Sequence, residues 1–64
     1  MKLKVAFYFP GGVEISHEVE GDEDTTQMIS NIQKHRFYNL FKENSHYVVD
    51  TEKAVFFSVT DLDE

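Results

Sequence analysis

Two alternating runs on either side of a Pro-Gly-Gly break constrain this chain more than any other feature. From residue 2 to 9, Leu3, Val5, Phe7 and Phe9 take one parity, and Lys2, Lys4, Ala6 and Tyr8 the other. From residue 13 to 20, Val13, Ile15, His17 and Val19 alternate with Glu14, Ser16, Glu18 and Glu20. Successive side chains of a strand point to opposite faces, so each run reads as a strand with one buried face. Between them, Pro10 pre-sets φ for a turn, and Gly11 and Gly12 tolerate positive φ. The three segments predict an antiparallel hairpin.

The rest of the chain is read with the same rules. Gly21-Asp22-Glu23-Asp24 ends the hairpin and leads into a helix of about ten residues, closing near Lys34–His35. Asp24 is the expected N-cap, with Gln27 as its capping-box partner and Thr25 as a competing cap. Acidic residues at the start and basic residues at the end of this helix both suit its dipole. Met28, Ile29 and Ile32 form its apolar stripe. Residues 36 to 41 fit a helix continuation or a strand; their aromatic content and the turn-like Lys42-Glu43-Asn44-Ser45 that follows favour the strand. Tyr47-Val48-Val49 reads as a short strand, Asp50 to Lys53 as a polar turn, and Ala54 to Thr60 as a last strand. In that strand Val55, Phe57 and Val59 share one face, and Ala54, Phe56 and Ser58 the other. Asp61 to Glu64 reads as a solvated, frayed end. The expected fold is α+β: an antiparallel sheet with one short helix packed on a face, in the order β-β-α-β-β-β.

A chain of 64 residues allows one domain, spanning residues 1–64. A domain of this size buries about 60% of the surface of its unfolded chain, so self-association is one route to added stability. There is no Cys, which excludes disulfides and thiolate metal sites and fits a reducing compartment. The core draws on six Phe and three Tyr. The N-terminal Met1-Lys2-Leu3-Lys4 precedes an apolar run that is too short for a signal peptide. No stretch approaches a membrane span. The chain is therefore expected to be cytoplasmic and to carry its native start.

The net charge is −6, from 12 acids and 6 bases. Lys2, Lys4, Lys34, Arg36, Lys42 and Lys53 are scattered, so neither direct nucleic-acid binding nor attachment to an anionic membrane is expected.

The second half carries Phe37-Tyr38-Asn39-Leu40-Phe41, then Tyr47-Val48-Val49-Asp50-Thr51-Glu52-Lys53-Ala54-Val55-Phe56-Phe57-Ser58-Val59. It resembles, in hydrophobic pattern, a layout common among small uncharacterised proteins of Gram-positive bacteria and their phages. The shared feature is a hairpin whose return strand begins after an Asp/Asn-Thr-x-x turn. The resemblance implies no activity and no site residues.

No constellation of catalytic, cofactor-binding or metal-binding residues stands out. Glu18, Glu20, Asp22, Glu23 and Asp24 form the densest acidic stretch, but they lack the alternating ligands and central Gly of a calcium loop. A solvated edge and a helix cap explain them. His17, His35 and His46 lack metal-ligand spacing. His17, on the apolar face of the second strand, is expected to pack with one nitrogen hydrogen-bonded. Pro10-Gly11-Gly12 leads into a strand, not into the helix that a phosphate loop requires.

What remains is a candidate interaction surface: Glu14, Glu18 and Glu20 on one strand face, with Tyr8 and Phe56. The leading expectation is a non-enzymatic protein-interaction module with a protein partner or a second copy of itself. The alternative is an acidic decoy that presents carboxylates where phosphates would sit. A small enzyme is the third reading.

Overall fold

A computed structural model of the chain describes residues 1–63. The elements are β1 (Lys2–Phe9), β2 (Val13–Glu20), α1 (Thr25–Lys34), β3 (Phe37–Lys42), β4 (Ser45–Asp50), a 3-10 turn (Thr51–Lys53) and β5 (Phe56–Asp61). This is the α+β class, in the order β-β-α-β-β-β. The strands divide between two antiparallel sheets, a three-stranded one with order β2-β1-β5 and the two-stranded hairpin β3-β4.

The alternation in β1 and β2 sets the first sheet. Leu3, Val5 and Phe7 lie opposite Val19, His17 and Ile15 on the inner face. On the other side of β1, Val5 and Phe7 lie opposite Val59 and Phe57. The turn between the strands places Gly11 at φ 85° and Gly12 at φ 76°, values that cost an L side chain about 1–2 kcal/mol. The helix begins as its sequence signals. Asp24 Oδ1 accepts from the Gln27 N–H at 2.8 Å, and Gln27 Oε1 accepts from the Asp24 N–H at 3.0 Å.

The core forms where three elements meet. Val5 and Phe7 of β1, Ile32 of α1, and Leu40 and Val49 of the hairpin are its buried members. Phe7 and Leu40 are fully enclosed. Of the expected helix stripe, Ile32 is buried and Met28 half-buried, while Ile29 stays exposed beside β5.

Besides shifts of one or two residues at the ends of β3 and β4, two boundaries differ from the sequence reading. The last strand starts at Phe56 because the Ala54 N–H closes the 3-10 turn onto the Thr51 carbonyl, at 3.4 Å. The Val55 N–H then makes the first bond across to the Tyr8 carbonyl, at 2.8 Å. Val55, expected to share a strand face with Phe57 and Val59, consequently precedes the strand and is exposed. The acidic end is anchored as far as Asp63. The Leu62 N–H reaches the Lys2 carbonyl at 2.9 Å, and the Lys2 N–H reaches Asp63 Oδ2 at 2.9 Å. Glu64, the remainder of that expectation, lies outside the described residues.

Candidate interaction surface

The five residues singled out from sequence lie on one face. In register, Glu14 stands opposite Tyr8, and Tyr8 opposite Phe56; Glu18 stands opposite Lys4, and Glu20 opposite Lys2. All project from the outer face of the three-stranded sheet. Tyr8 and Phe56 stack with ring centroids 4.4 Å apart, so each covers part of the other. The acidic row is interleaved with base: Lys2 Nζ lies 3.3 Å from Glu18 Oε1. Both side chains are about half exposed, and such pairs contribute little to stability. The face is therefore of mixed charge.

The neighbouring acids serve local structure. Asp24 caps α1, and Glu23 Oε2 accepts from Asn31 Nδ2 at 2.8 Å. Among the described residues, no group of three or more His, Asp or Glu side chains is placed to hold a metal ion. No helix among them is long and apolar enough to cross a membrane.

His17 does more than its parity suggested, because both ring nitrogens are engaged. Tyr38 donates its O–H to Nε2 at 2.7 Å, and Nδ1–H donates to the Phe41 carbonyl at 3.4 Å. The two rings meet edge to face, and the Tyr38 ring also lies 5.1 Å from Phe7. Burial, assisted by the charge of Lys42, lowers the His17 pKa below its ordinary value, against the pull of the Phe41 carbonyl. Burial also raises the Tyr38 pKa, with a further push from the Glu23 charge. Both shifts favour neutral groups, which is the state this hydrogen-bond pattern requires. The pair fastens β2 of one sheet to β3 of the other.

A cleft of about 420 Å³ runs between α1 and β3, with Glu23, Asn31, His35 and Tyr38 among its lining residues. Its polar groups are largely bonded to one another. Asn31 donates to Glu23, His35 Nδ1–H donates to the Asn31 carbonyl at 3.1 Å, and the Tyr38 hydroxyl is committed to His17.

The outer face of the β3-β4 hairpin is different. Pairing puts Phe37, Asn39 and Phe41 opposite Asp50, Val48 and His46. Phe37, Phe41 and Val48 are 53%, 63% and 62% exposed, while the opposite face buries Leu40 and Val49. The Phe41 ring stacks on His46 at 4.4 Å, and His46 Nε2–H donates to Asn39 Oδ1 at 2.9 Å. At the other end, the Arg36 guanidinium lies 5.1 Å from the Phe37 ring centre. The same guanidinium forks onto both Asp50 oxygens, at 3.3 and 3.1 Å, and approaches Glu52 at 3.6 Å. The hydrogen bond from Arg36 is the main cause of the lowered Asp50 pKa. These groups hold the aromatic side chains in place without covering them.

This surface was missed in the sequence. Period two shows that Phe37 and Phe41 share a face, but Tyr38 and Leu40 make the other face equally apolar. Only the tertiary arrangement decides which face is buried. No family model matches the chain, and neither curated proteins nor solved structures match it.

Proposed function

We propose that the chain is a small, non-enzymatic protein-interaction domain, which binds through the outer face of the β3-β4 hairpin. The observation that carries this reading is the grouping of Phe37, Phe41 and Val48 on one face left open by the other described elements. Single exposed apolar residues are ordinary, but three on one face of one hairpin, with Val48 across the ladder from the Asn39 that separates Phe37 and Phe41, favour a contact site. Phe and Arg are enriched at such sites, and here Arg36 lies against Phe37 at the rim. Two further features support a binding role over an enzymatic one. Both nitrogens of His17 are bonded within the fold, and the polar groups of the α1-β3 cleft largely satisfy each other. The net charge of −6 and the scattered bases favour a protein partner over nucleic acid. The lack of Cys suits work in the cytoplasm.

The test is affinity capture from a lysate of the source organism, at low and moderate salt, with three baits. These are the wild type, a Phe37→Ser/Phe41→Lys double variant, and a Glu14→Gln/Glu18→Gln/Glu20→Gln triple variant, each checked for folding by circular dichroism. The expected result is a stoichiometric protein held by the wild type and the triple variant and lost by the double variant. Retention by the double variant with loss by the triple variant would overturn this assignment and support the acidic-decoy reading.

A further inference from the structure

Beyond that reading of the outer face, we infer that the free edge of the hairpin pairs with a second copy of this chain, antiparallel along β4 about a two-fold axis through Val48. The free edge decides the geometry. The Thr51 N–H bonds the Arg36 carbonyl at 2.8 Å, which sets the phase of the β3-β4 ladder. Residues of β4 with the parity of Thr51 (Ser45, Tyr47 and Val49) direct their backbone groups at β3. Those of the other parity (His46, Val48 and Asp50) direct theirs away. Among the described residues no strand pairs with that side of β4. The strand also lacks the usual protections of an exposed edge, having no Lys, Pro or bulge.

A two-fold axis perpendicular to the sheet keeps outer face with outer face. It passes either through a hydrogen-bonded pair of outward parity or through a non-hydrogen-bonded pair, Tyr47 or Val49. An axis at Tyr47 would set Val48 against His46 and Asp50 against Asn44 in the partner's turn, and one at Val49 would set Val48 against Asp50. Centring on Asp50 would set two carboxylates against each other. Centring on His46 would run Val48 against Asn44 in the partner's turn. Centring on Val48 pairs Val48 with Val48 and His46 with Asp50, twice over, each pair exchanging both backbone bonds. It also sets no like charges against each other across the axis: His46, bonded to Asn39, lies opposite Asp50, which Arg36 holds. The marginal two-stranded sheet then becomes the four-stranded sheet β3-β4-β4-β3. One face of that sheet carries Phe37, Phe41 and Val48 from both copies. Such an interface is isologous, the commonest kind among homo-oligomers.

The absence of Cys makes a chemical test clean. Val48→Cys places two thiols across the axis, at about 5.5 Å between Cα atoms, within disulfide reach. Val55→Cys is the control, at a comparably exposed position on another part of the surface. The expected result is rapid air oxidation of Val48→Cys to a covalent dimer, with Val55→Cys remaining monomeric. Sedimentation equilibrium is expected to show a wild-type dimer that tightens with added salt, since each chain carries a charge of −6. Val48→Pro removes an outward N–H but none that bonds β3, and should weaken the dimer at least tenfold. A wild type that stays monomeric at the highest soluble concentration would overturn the inference. So would equal dimerisation by Val48→Pro, or crosslinking of both cysteine variants alike. If the monomeric wild type still captures a different protein through Phe37 and Phe41, this inference falls and the interaction reading stands.

Discussion

Replacing Tyr38 by Phe removes one oxygen and keeps the ring that packs 5.1 Å from Phe7. The loss is confined to the 2.7 Å hydrogen bond to His17 Nε2. A net protein hydrogen bond is worth about 0.5–1.5 kcal/mol, and stranding a buried acceptor costs about 1–3 kcal/mol. Tyr38 and His17 are both half-buried, so water partly replaces the hydroxyl and the expected loss is ~1–2 kcal/mol. A domain of this size shifts its Tm by about 4–8 °C per kcal/mol, which sets the expected fall at roughly 5–15 °C. Thermal unfolding at pH 7.5, followed by far-UV circular dichroism, measures it. A double-mutant cycle with His17→Leu isolates the pair, with an expected coupling of ~1 kcal/mol. A Tyr38→Phe protein as stable as the wild type, or a coupling near zero, would refute the claim that this pair fastens the two sheets.

Four further outcomes follow from the same geometry. His17→Leu should flatten the pH dependence of stability just below pH 6.5. Burial holds the folded His17 pKa below the ordinary histidine value of 6.5, so the unfolded chain gains the proton first. The contribution is complete above 6.5 and is lost as pH falls toward the folded pKa. Asp50 acts lower: its pKa is held under 3.8, chiefly by the Arg36 hydrogen bond, so its contribution disappears only as pH falls below that value; denaturant titration at stepped pH separates the two windows. Leu40→Ala empties a fully enclosed site at a cost of about 2.5–5 kcal/mol. Against a total near 3–10 kcal/mol for a chain of this length, this removes from a quarter to all of the stability, and thermal unfolding by circular dichroism should show a Tm lower by roughly 10–40 °C. Glu43 and Asn44 form the two-residue β3-β4 turn at φ 51° and 66°, values that suit Asn-Gly. Glu43→Asn with Asn44→Gly should therefore stabilise the protein by ~0.5–1 kcal/mol in the same denaturant assay.

Much of the frame was legible because it rests on local rules. The parity of β1 and β2 assigned the inner face through His17 and Val19, and the Asp24–Gln27 box located the helix start. Residues 37 to 41 formed a strand, in keeping with their aromatic content and the turn after Lys42. The contacts that decide the site are long-range and leave no local trace. Tyr38 lies 21 positions from the histidine it binds, and nothing in either segment names the other. Phe37 and Phe41 looked like core material because burial is settled by which face of the hairpin meets Phe7 and Ile32. Val55 moved to the surface because Thr51 and Ala54 closed a 3-10 turn that shifted the start of β5. The acidic row was read correctly as a single face. Its partial neutralisation by Lys2 and Lys4 depended on pairing β1 with β2 in register.

Amide hydrogen exchange along β4, resolved by NMR and repeated over a wide range of protein concentration, tests the central claim most directly. At high dilution the amides of Tyr47 and Val49 should be protected, and those of His46, Val48 and Asp50 should exchange freely. As concentration rises, those three should gain protection together, with Val48 at the centre of the pattern. Protection of His46, Val48 and Asp50 at every dilution would show that the edge is not free. Their free exchange at the highest concentration would show that no second copy pairs there.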